Sequence, residues 1–283
     1  MHLLFALDQR FESLAVVALT SYLLHHHFES VVLVTPADQR LFQLESVANS
    51  FGVPFEWQPI EYKASIYRLD RSIQPYFFCV EALQQLRAGR YLYVDADTLC
   101  VDELSSLEEL PLDDAFPLAA CSHGRPMPDR SLLLGLQSDY HYFNAGVLLF
   151  DSAALRKLIT PAVVVEFYKQ NRAICRFREQ CALNGLLRGR VRFLPGQYNM
   201  LSWMRERHAD GRWHNLSANP MAYCLPDVRE RMAIAHFSAG AIPSNIPISN
   251  HEPVDSYWLY LRDGVSHQTT LPALMRFTKT NFV

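Results

Sequence analysis

The sequence predicts an α/β protein: a mostly parallel sheet with helices on both faces and an irregular C-terminal extension. Three observations carry this. Apolar, β-branched segments alternate with segments of helical apolar spacing through the first two hundred residues, the pattern of a sheet built with crossover helices. Several of these strands end directly on polar residues, as strands do whose carboxyl ends open onto a ligand crevice. Beyond about residue 200 the periodicity fades, and Trp203, Trp213 and Trp258 stand in irregular, proline-containing chain.

The elements follow in order. Residues 2–7 read as a short apolar strand and 11–27 as a helix. Residues 31–34 are a β-branched strand, after which Thr35 as N-cap and Pro36 at the first helical position open a second helix that closes before Gly52. An amphipathic helix spans 73–86. A strand at 91–94 ends on acids. Buried strands are expected at 118–121 and 143–150, helices at 152–159, 161–171 and 179–187, and a short strand at 191–194. There is no Gly/Ser-rich linker and no internal repeat. At about 150 residues per domain, the 283 residues read as one large domain over 1–243, with 244–283 packed on it as an extension.

Composition excludes several classes. Apolar residues make up 49% and charged residues 19%, enough for a packed core and against disorder. A net charge of −3 supplies no global basic field, so a nucleic-acid partner is not expected. The most apolar early stretch, 14–24, is interrupted by Thr20, Ser21 and Tyr22 and falls short of the ~20 residues that cross a bilayer. Asp8 and Glu12 stand where a signal peptide carries positive charge. Six cysteines without C-x-x-C spacing read as reduced thiols of a cytosolic protein. His25-His26-His27 carries little weight as a metal tract, because a helix end disperses the three around its axis.

The chemistry concentrates at strand ends. In Tyr91-Leu92-Tyr93-Val94-Asp95-Ala96-Asp97 an apolar strand delivers two carboxylates with one small residue between them. The chain turns there, so both can reach one centre, and two neighbouring anions repel unless a cation lies between them. Oxygen ligands of this kind favour Mg²⁺ or Mn²⁺, which commonly bridge to substrate phosphates. A bare D-x-D more often marks solvated acids; directly after a buried strand the two readings are evenly matched. His236, after Ala233-Ile234-Ala235, would complete a metal site from the far side, imidazole being a fit ligand for Mn²⁺ beside carboxylates. Asn144 opens the 143–150 strand, with Gly146 leaving room for a close approach. Asp8 follows the first strand. Glu179 and Gln180 begin a helix, with Asn184 one turn on; acids at a helix start are routine.

Taken in order, these segments resemble the retaining glycosyltransferases of family eight, the group of bacterial lipopolysaccharide galactosyl- and glucosyltransferases and glycogenin. The matching pieces are Phe5-Ala6-Leu7-Asp8, residues 91–97, residues 142–149, Glu179-Gln180 with Leu183-Asn184-Gly185, and a degenerate closing segment from His236. The resemblance implies a GT-A, Rossmann-like fold that binds a UDP-sugar with Mn²⁺ or Mg²⁺. It implies that Asp8 meets the donor's uracil or ribose, that Asp95, Asp97 and His236 hold the metal, and that Asn144 contacts the donor sugar. Gln180 would lie against the sugar face opposite the leaving group, and Glu179 would bond sugar hydroxyls. The acceptor would be a glycan or lipid-linked glycan, and the protein cytosolic, at the inner membrane face where the acceptor is lipid-linked.

Four positions depart from the family pattern. The closing motif H-x-x-G-x-x-K-P-W, whose Lys pairs with the diphosphate, is here His236 to Ser244 with Gly240 displaced by one, Ile242 at the Lys position and Ser244 at the Trp position. A basic residue expected before the D-x-D strand is Phe78. Asp-Gln is Glu179-Gln180. An Asp after the middle strand is His123, which takes that residue's place beside the donor. Lys63, Arg68 and Arg71 are candidate replacements for the lost charge. These departures open a second reading, a weakened or non-catalytic nucleotide-sugar binder. A nucleotidyltransferase ranks third, because residues 8–14 lack the glycine-rich basic loop such enzymes carry after the first strand.

Overall fold

The computed structural model describes residues 1–124, 127–138, 141–202, 232–238, 242–245 and 253–266. Trp203, Trp213, Gly240 and the 275–279 tail lie outside the described residues.

The strands are β1 (His2–Ala6), β2 (Val31–Pro36), β3 (Phe55–Ile60), β4 (Arg90–Val94), β5 (Thr98–Cys100), β6 (Leu118–Ser122), β7 (Phe143–Asp151), β8 (Val191–Leu194), β9 (Met200–Leu201) and β10 (Ile234–His236). The helices are α1 (Glu12–His25), α2 (Phe42–Ser50), α3 (Phe78–Ala82), α4 (Ser105–Glu109), α5 (Pro128–Leu133), α6 (Ser152–Leu155), α7 (Pro161–Gln170), α8 (Arg178–Leu186) and α9 (Pro253–Ser266).

Seven strands form one sheet in the order β3-β2-β1-β4-β7-β6-β8. β7 alone runs antiparallel to its neighbours β4 and β6, and the other pairings are parallel. The expected mostly parallel α/β sheet is therefore present. Side chains alternate across it. Leu4, Ala6, Tyr91 and Tyr93 face the core under α3, α7 and α8. Leu3, Phe5, Leu92 and Val94 face α1 and α2. The reversal of β7 matters for the site: its first residues, Phe143 and Asn144, lie at the same sheet edge as the end of β4, and Asp95 N donates to Gly146 O at 2.8 Å.

A second, three-stranded sheet in the order β5-β10-β9 caps that edge. β10 pairs antiparallel with β5 and parallel with β9. Behind it, α9 buries Val254, Tyr257, Trp258 and Leu261 against Val17, Leu99, Ala235 and Phe237. Tyr257 Oη and His25 Nε2 are 3.2 Å apart. Trp258, expected in irregular chain, sits within a 14-residue helix. Its apolar residues 254, 257, 258 and 261 follow helical spacing, a short signal amid polar chain.

Two helix expectations need correction. Thr35-Pro36 ends β2 instead of opening a helix, with Pro36 in register with Ile60. Thr35 Oγ1 accepts from Trp57 Nε1 at 2.8 Å and donates to Gln39 O at 2.6 Å, so its hydroxyl braces a strand end and the helix starts at Phe42. The 73–86 helix breaks into a 3-10 turn at Gln74–Phe77, the five-residue α3, and tight turns to Leu86 closed by bonds such as Leu83 N to Val80 O. Pro75, with no N–H to give, begins the 3-10 turn. By contrast, Thr160 caps α7 through Val163 N with Pro161 first in the helix.

No helix among the described residues is long and apolar enough to cross a membrane.

Removing the Trp258 ring from its buried place should cost about 3–5 kcal/mol; denaturant unfolding of Trp258→Ala reads this directly. Glu81, 4% exposed, accepts from Ile66 N at 2.8 Å, and burial holds its carboxyl above the usual range. The unfolded chain therefore ionises first, and stability falls as pH rises from the ordinary carboxylate value through the raised one. Glu81→Gln, which keeps the accepting oxygen, should melt higher than the parent at pH 7.5 and lose that advantage near pH 4 in paired thermal scans.

Candidate active site

Three ligand-bearing side chains meet where the two sheets touch. Asp95 and Asp97 leave the end of β4 in a tight turn, with Thr98 Oγ1 donating to Asp95 O at 2.7 Å. His236 arrives at the end of β10, and Phe237 N donates to Asp97 O at 2.8 Å. One atom from each side chain lies within 4.8 Å of the others. His236 Nε2 is 3.4 Å from Asp97 Oδ1 and 3.9 Å from Asp95 Oδ2. Ligands at ~2.1 Å from one ion, at right angles, stand about 3 Å apart, so a small inward adjustment suits a divalent cation. Among the described residues this is the one group of three or more such side chains. His25-His26-His27 does not gather: His25 faces Tyr257, and His26 Nε2 lies 3.3 Å from Glu108.

The electrostatics fit a cation. Burial and the charge of Asp97 push Asp95 up to about 6 against the opposing pull of His236. Desolvation would also raise Asp97, but His236 outweighs it and holds that carboxyl below its usual range. Tyr93 Oη donates to Asp95 Oδ1 at 2.6 Å, leaving Oδ2 toward His236. His236 Nδ1 donates to Asn199 Oδ1 at 2.8 Å, which turns Nε2 toward the carboxylates.

Asn199 begins a row of amides. Its Nδ2 donates to Asn144 Oδ1 at 2.8 Å, and Asn144 Nδ2 donates to Gln180 Oε1 at 3.1 Å. Gln180 Oε1 also accepts from Ala145 N at 3.0 Å, and its Nε2 donates to Tyr142 Oη at 3.2 Å. Asn184 clips α8 to β7, its Oδ1 accepting from Phe143 N at 2.8 Å and its Nδ2 donating to Phe143 O at 3.0 Å. Gly146 is the hinge of the assembly. A Cβ there would collide with the His236 ring and stand 2.7 Å from Asp95 Oδ2.

Glu179 points the same way. Its Oε2 is buried with no hydrogen-bond partner among the described residues, an arrangement native proteins rarely leave unused. Burial and the charge of Asp95 push its carboxyl well above the usual range.

Not every expected residue joins this centre. Asp8 stands at the end of β1 with both oxygens on Arg10, Oδ2 accepting from Nη2 at 2.7 Å. His123 follows β6 between the rings of Tyr142 and Phe177, at 5.9 and 5.7 Å. Phe78 is buried in the core and Ile242 packs against the α9 cluster. Lys63 is paired with Glu61 at 2.9 Å, and Arg68 and Arg71 are exposed. Asn199 and Tyr93 were not singled out from sequence, since no spacing separates an orienting amide or phenol from an ordinary buried one.

A cavity of about 740 Å³ lies elsewhere, between Gln137, His141, Arg188 and Phe193. The acids, lone carboxyl and oriented imidazole mark the chemistry more firmly than volume does.

Known proteins resemble this chain in sequence and in fold. The lipopolysaccharide 1,2-glucosyltransferase of Escherichia coli (strain K12) is 31% identical over 139 residues, covering 46% of this chain and 39% of that protein. The chain thus spans well under half of that relative. General stress protein A of Bacillus subtilis (strain 168) is 23% identical over 234 residues, covering 77% and 76%. The galactosyltransferase LgtC, solved with donor and acceptor sugar analogs, superposes with a TM-score of 0.72 at 21% identity over 98% of this chain and 100% of that one. It shares the GT-A fold. The sequence pattern of glycosyl transferase family 8 matches residues 2–243, nearly the whole chain, and the protein belongs to that family.

Proposed function

We propose that the chain is a retaining hexosyltransferase that moves a hexose from a UDP-sugar to a hydroxyl of a glycan or lipid-linked glycan, with Mn²⁺ or Mg²⁺ held by Asp95, Asp97 and His236. The observation that carries this is the convergence of those three side chains from two sheets with His236 Nε2 turned inward by Asn199. Support comes from the family, from a relative named as a lipopolysaccharide glucosyltransferase, and from a solved neighbour bound to donor and acceptor sugar analogs. The partners are small molecules and glycans; a nucleic acid has no place in it. The reaction belongs in the cytoplasm, at the inner membrane face when the acceptor is lipid-linked.

The roles follow from the bonds. A divalent ion, when bound, supplies Lewis-acid neutralisation of the charge on a departing diphosphate. Asn144 and Gln180 hold their amides rigid for the donor sugar, Gln180 Oε1 being occupied by two donors. It acts as a fixed dipole on the sugar's far face more readily than as an attacking atom. Glu179, buried and unpaired at Oε2, offers that oxygen to a sugar hydroxyl. Asp8, shared with Arg10, faces the nucleoside, and His123, walled by Tyr142 and Phe177, lines the donor side. Closing this pocket against water favours the acceptor hydroxyl over hydrolysis.

One observation favours a second reading. Phe78 and Ile242, where the family pattern carries cations, are packed in apolar surroundings, which suits a protein that binds UDP but transfers slowly.

With Mn²⁺ present, at least one of a panel of UDP-hexoses should release UDP, and Asp97→Asn should abolish this; a panel showing neither turnover nor thermal stabilisation sinks the donor assignment. Thermal stabilisation by UDP and Mn²⁺ without turnover would favour the second reading. Asn199→Leu should weaken Mn²⁺ binding by about 10–100-fold in calorimetry while leaving the far-UV dichroism unchanged.

A further inference from the structure

With a divalent ion held by Asp95, Asp97 and a neutral His236, the clamp would be electrically balanced before any substrate arrives. A diphosphate would bring its own negative charge to a site whose two expected cation positions hold Phe78, 3% exposed, and Ile242, packed beside Trp258. Charge of that kind in a partly buried place calls for a cation nearby.

One guanidinium stands close to Glu179, whose carboxyl feels the charges of both Asp95 and Arg178. Arg178 immediately precedes Glu179 and Gln180. It forms no ion pair or hydrogen bond through its side chain among the described residues, and its Cζ rests 4.0 Å from the centre of the Tyr76 ring. Tyr76, 44% exposed, stands two residues before Phe78. Arg10 also senses the Tyr76 phenol, so the ring lies between the turn after β1 and the start of α8. The backbone adds an independent sign. Arg178 has φ of 48°, the one left-handed residue other than glycine among those described. A side chain is disfavoured there, and such strain persists where it serves a site. Lys63 is paired with Glu61, and Arg68 and Arg71 are exposed with no aromatic seat of this kind among the described residues.

We infer that Arg178, seated on Tyr76, is a donor-binding residue that pairs with the diphosphate of the nucleotide sugar in place of the cations absent at Phe78 and Ile242. This rests on the UDP-sugar reading. Aromatic seating keeps a guanidinium ordered yet free to swing onto an anion, since it gives up a ring face and no carboxylate.

The test compares UDP and uridine by calorimetry in Mn²⁺ for the parent, Arg178→Gly, Arg178→Asn and the exposed neighbour Arg176→Gln. Gly and Asn both accept the left-handed backbone, so each variant should melt no lower than the parent. UDP affinity should drop about tenfold in both, with uridine affinity unchanged and Arg176→Gln like the parent. Unchanged UDP affinity in the Arg178 variants overturns the inference, as do equal losses for UDP and uridine or an equal loss in Arg176→Gln. A parent that binds no UDP at all overturns the donor reading itself; a parent that binds while the variants match it overturns only the role of Arg178.

Discussion

His236 reaches the carboxylates only because residue 146 has no side chain. β10 belongs to a different sheet from β4 and β7, and no ladder bond ties the two sheets at this point. Beside the Phe237 N to Asp97 O bond, their contact is made by side chains over the backbone of Gly146, where a single methyl would meet both the imidazole and Asp95. A glycine in a strand interior ordinarily weakens it. Here that cost secures the approach of a ligand encoded some 140 residues after the first acid. The rest of the molecule serves this contact: α9 presses the capping sheet inward, and antiparallel β7 brings Asn144 and Gly146 to the edge where β4 releases its acids.

Much of this was legible beforehand, and for identifiable reasons. Strands 91–94, 118–121 and 143–150 are apolar runs, broken only by Asn144 and buried on both faces, so neither turn chemistry nor partner choice obscures them. Asp95, Asp97 and His236 were readable because strand ends have few possible destinations. Thr35-Pro36 misled because a Thr followed by Pro satisfies the rule for a helix start as well as that for a strand end, and only the partner strand, pairing Pro36 with Ile60, decides. Trp258 misled because its helix carries an unbroken apolar run, Tyr257 to Leu261, which blurs the helical period. Asn199 was invisible because its value lies in whom it touches.

The charge arrangement also separates what local rules reveal from what packing reveals. Substituting Phe78 and Ile242 for cations reads, along the chain, as simple loss. In three dimensions Phe78 is buried in one apolar cluster and Ile242 packs against another, so the loss was absorbed into apolar packing, while Arg178 rests on the Tyr76 ring.

The amides between His236 and Tyr142 have a direction. Each nitrogen gives its proton to the oxygen of the next residue, from the imidazole through Asn199, Asn144 and Gln180 to the phenol. Turning the central Asn144 amide over would set donor against donor on one side and acceptor against acceptor on the other. The row therefore behaves as a single polarised wire whose ends agree: whatever fixes the imidazole's tautomer at one end also dictates which face Gln180 shows at the other.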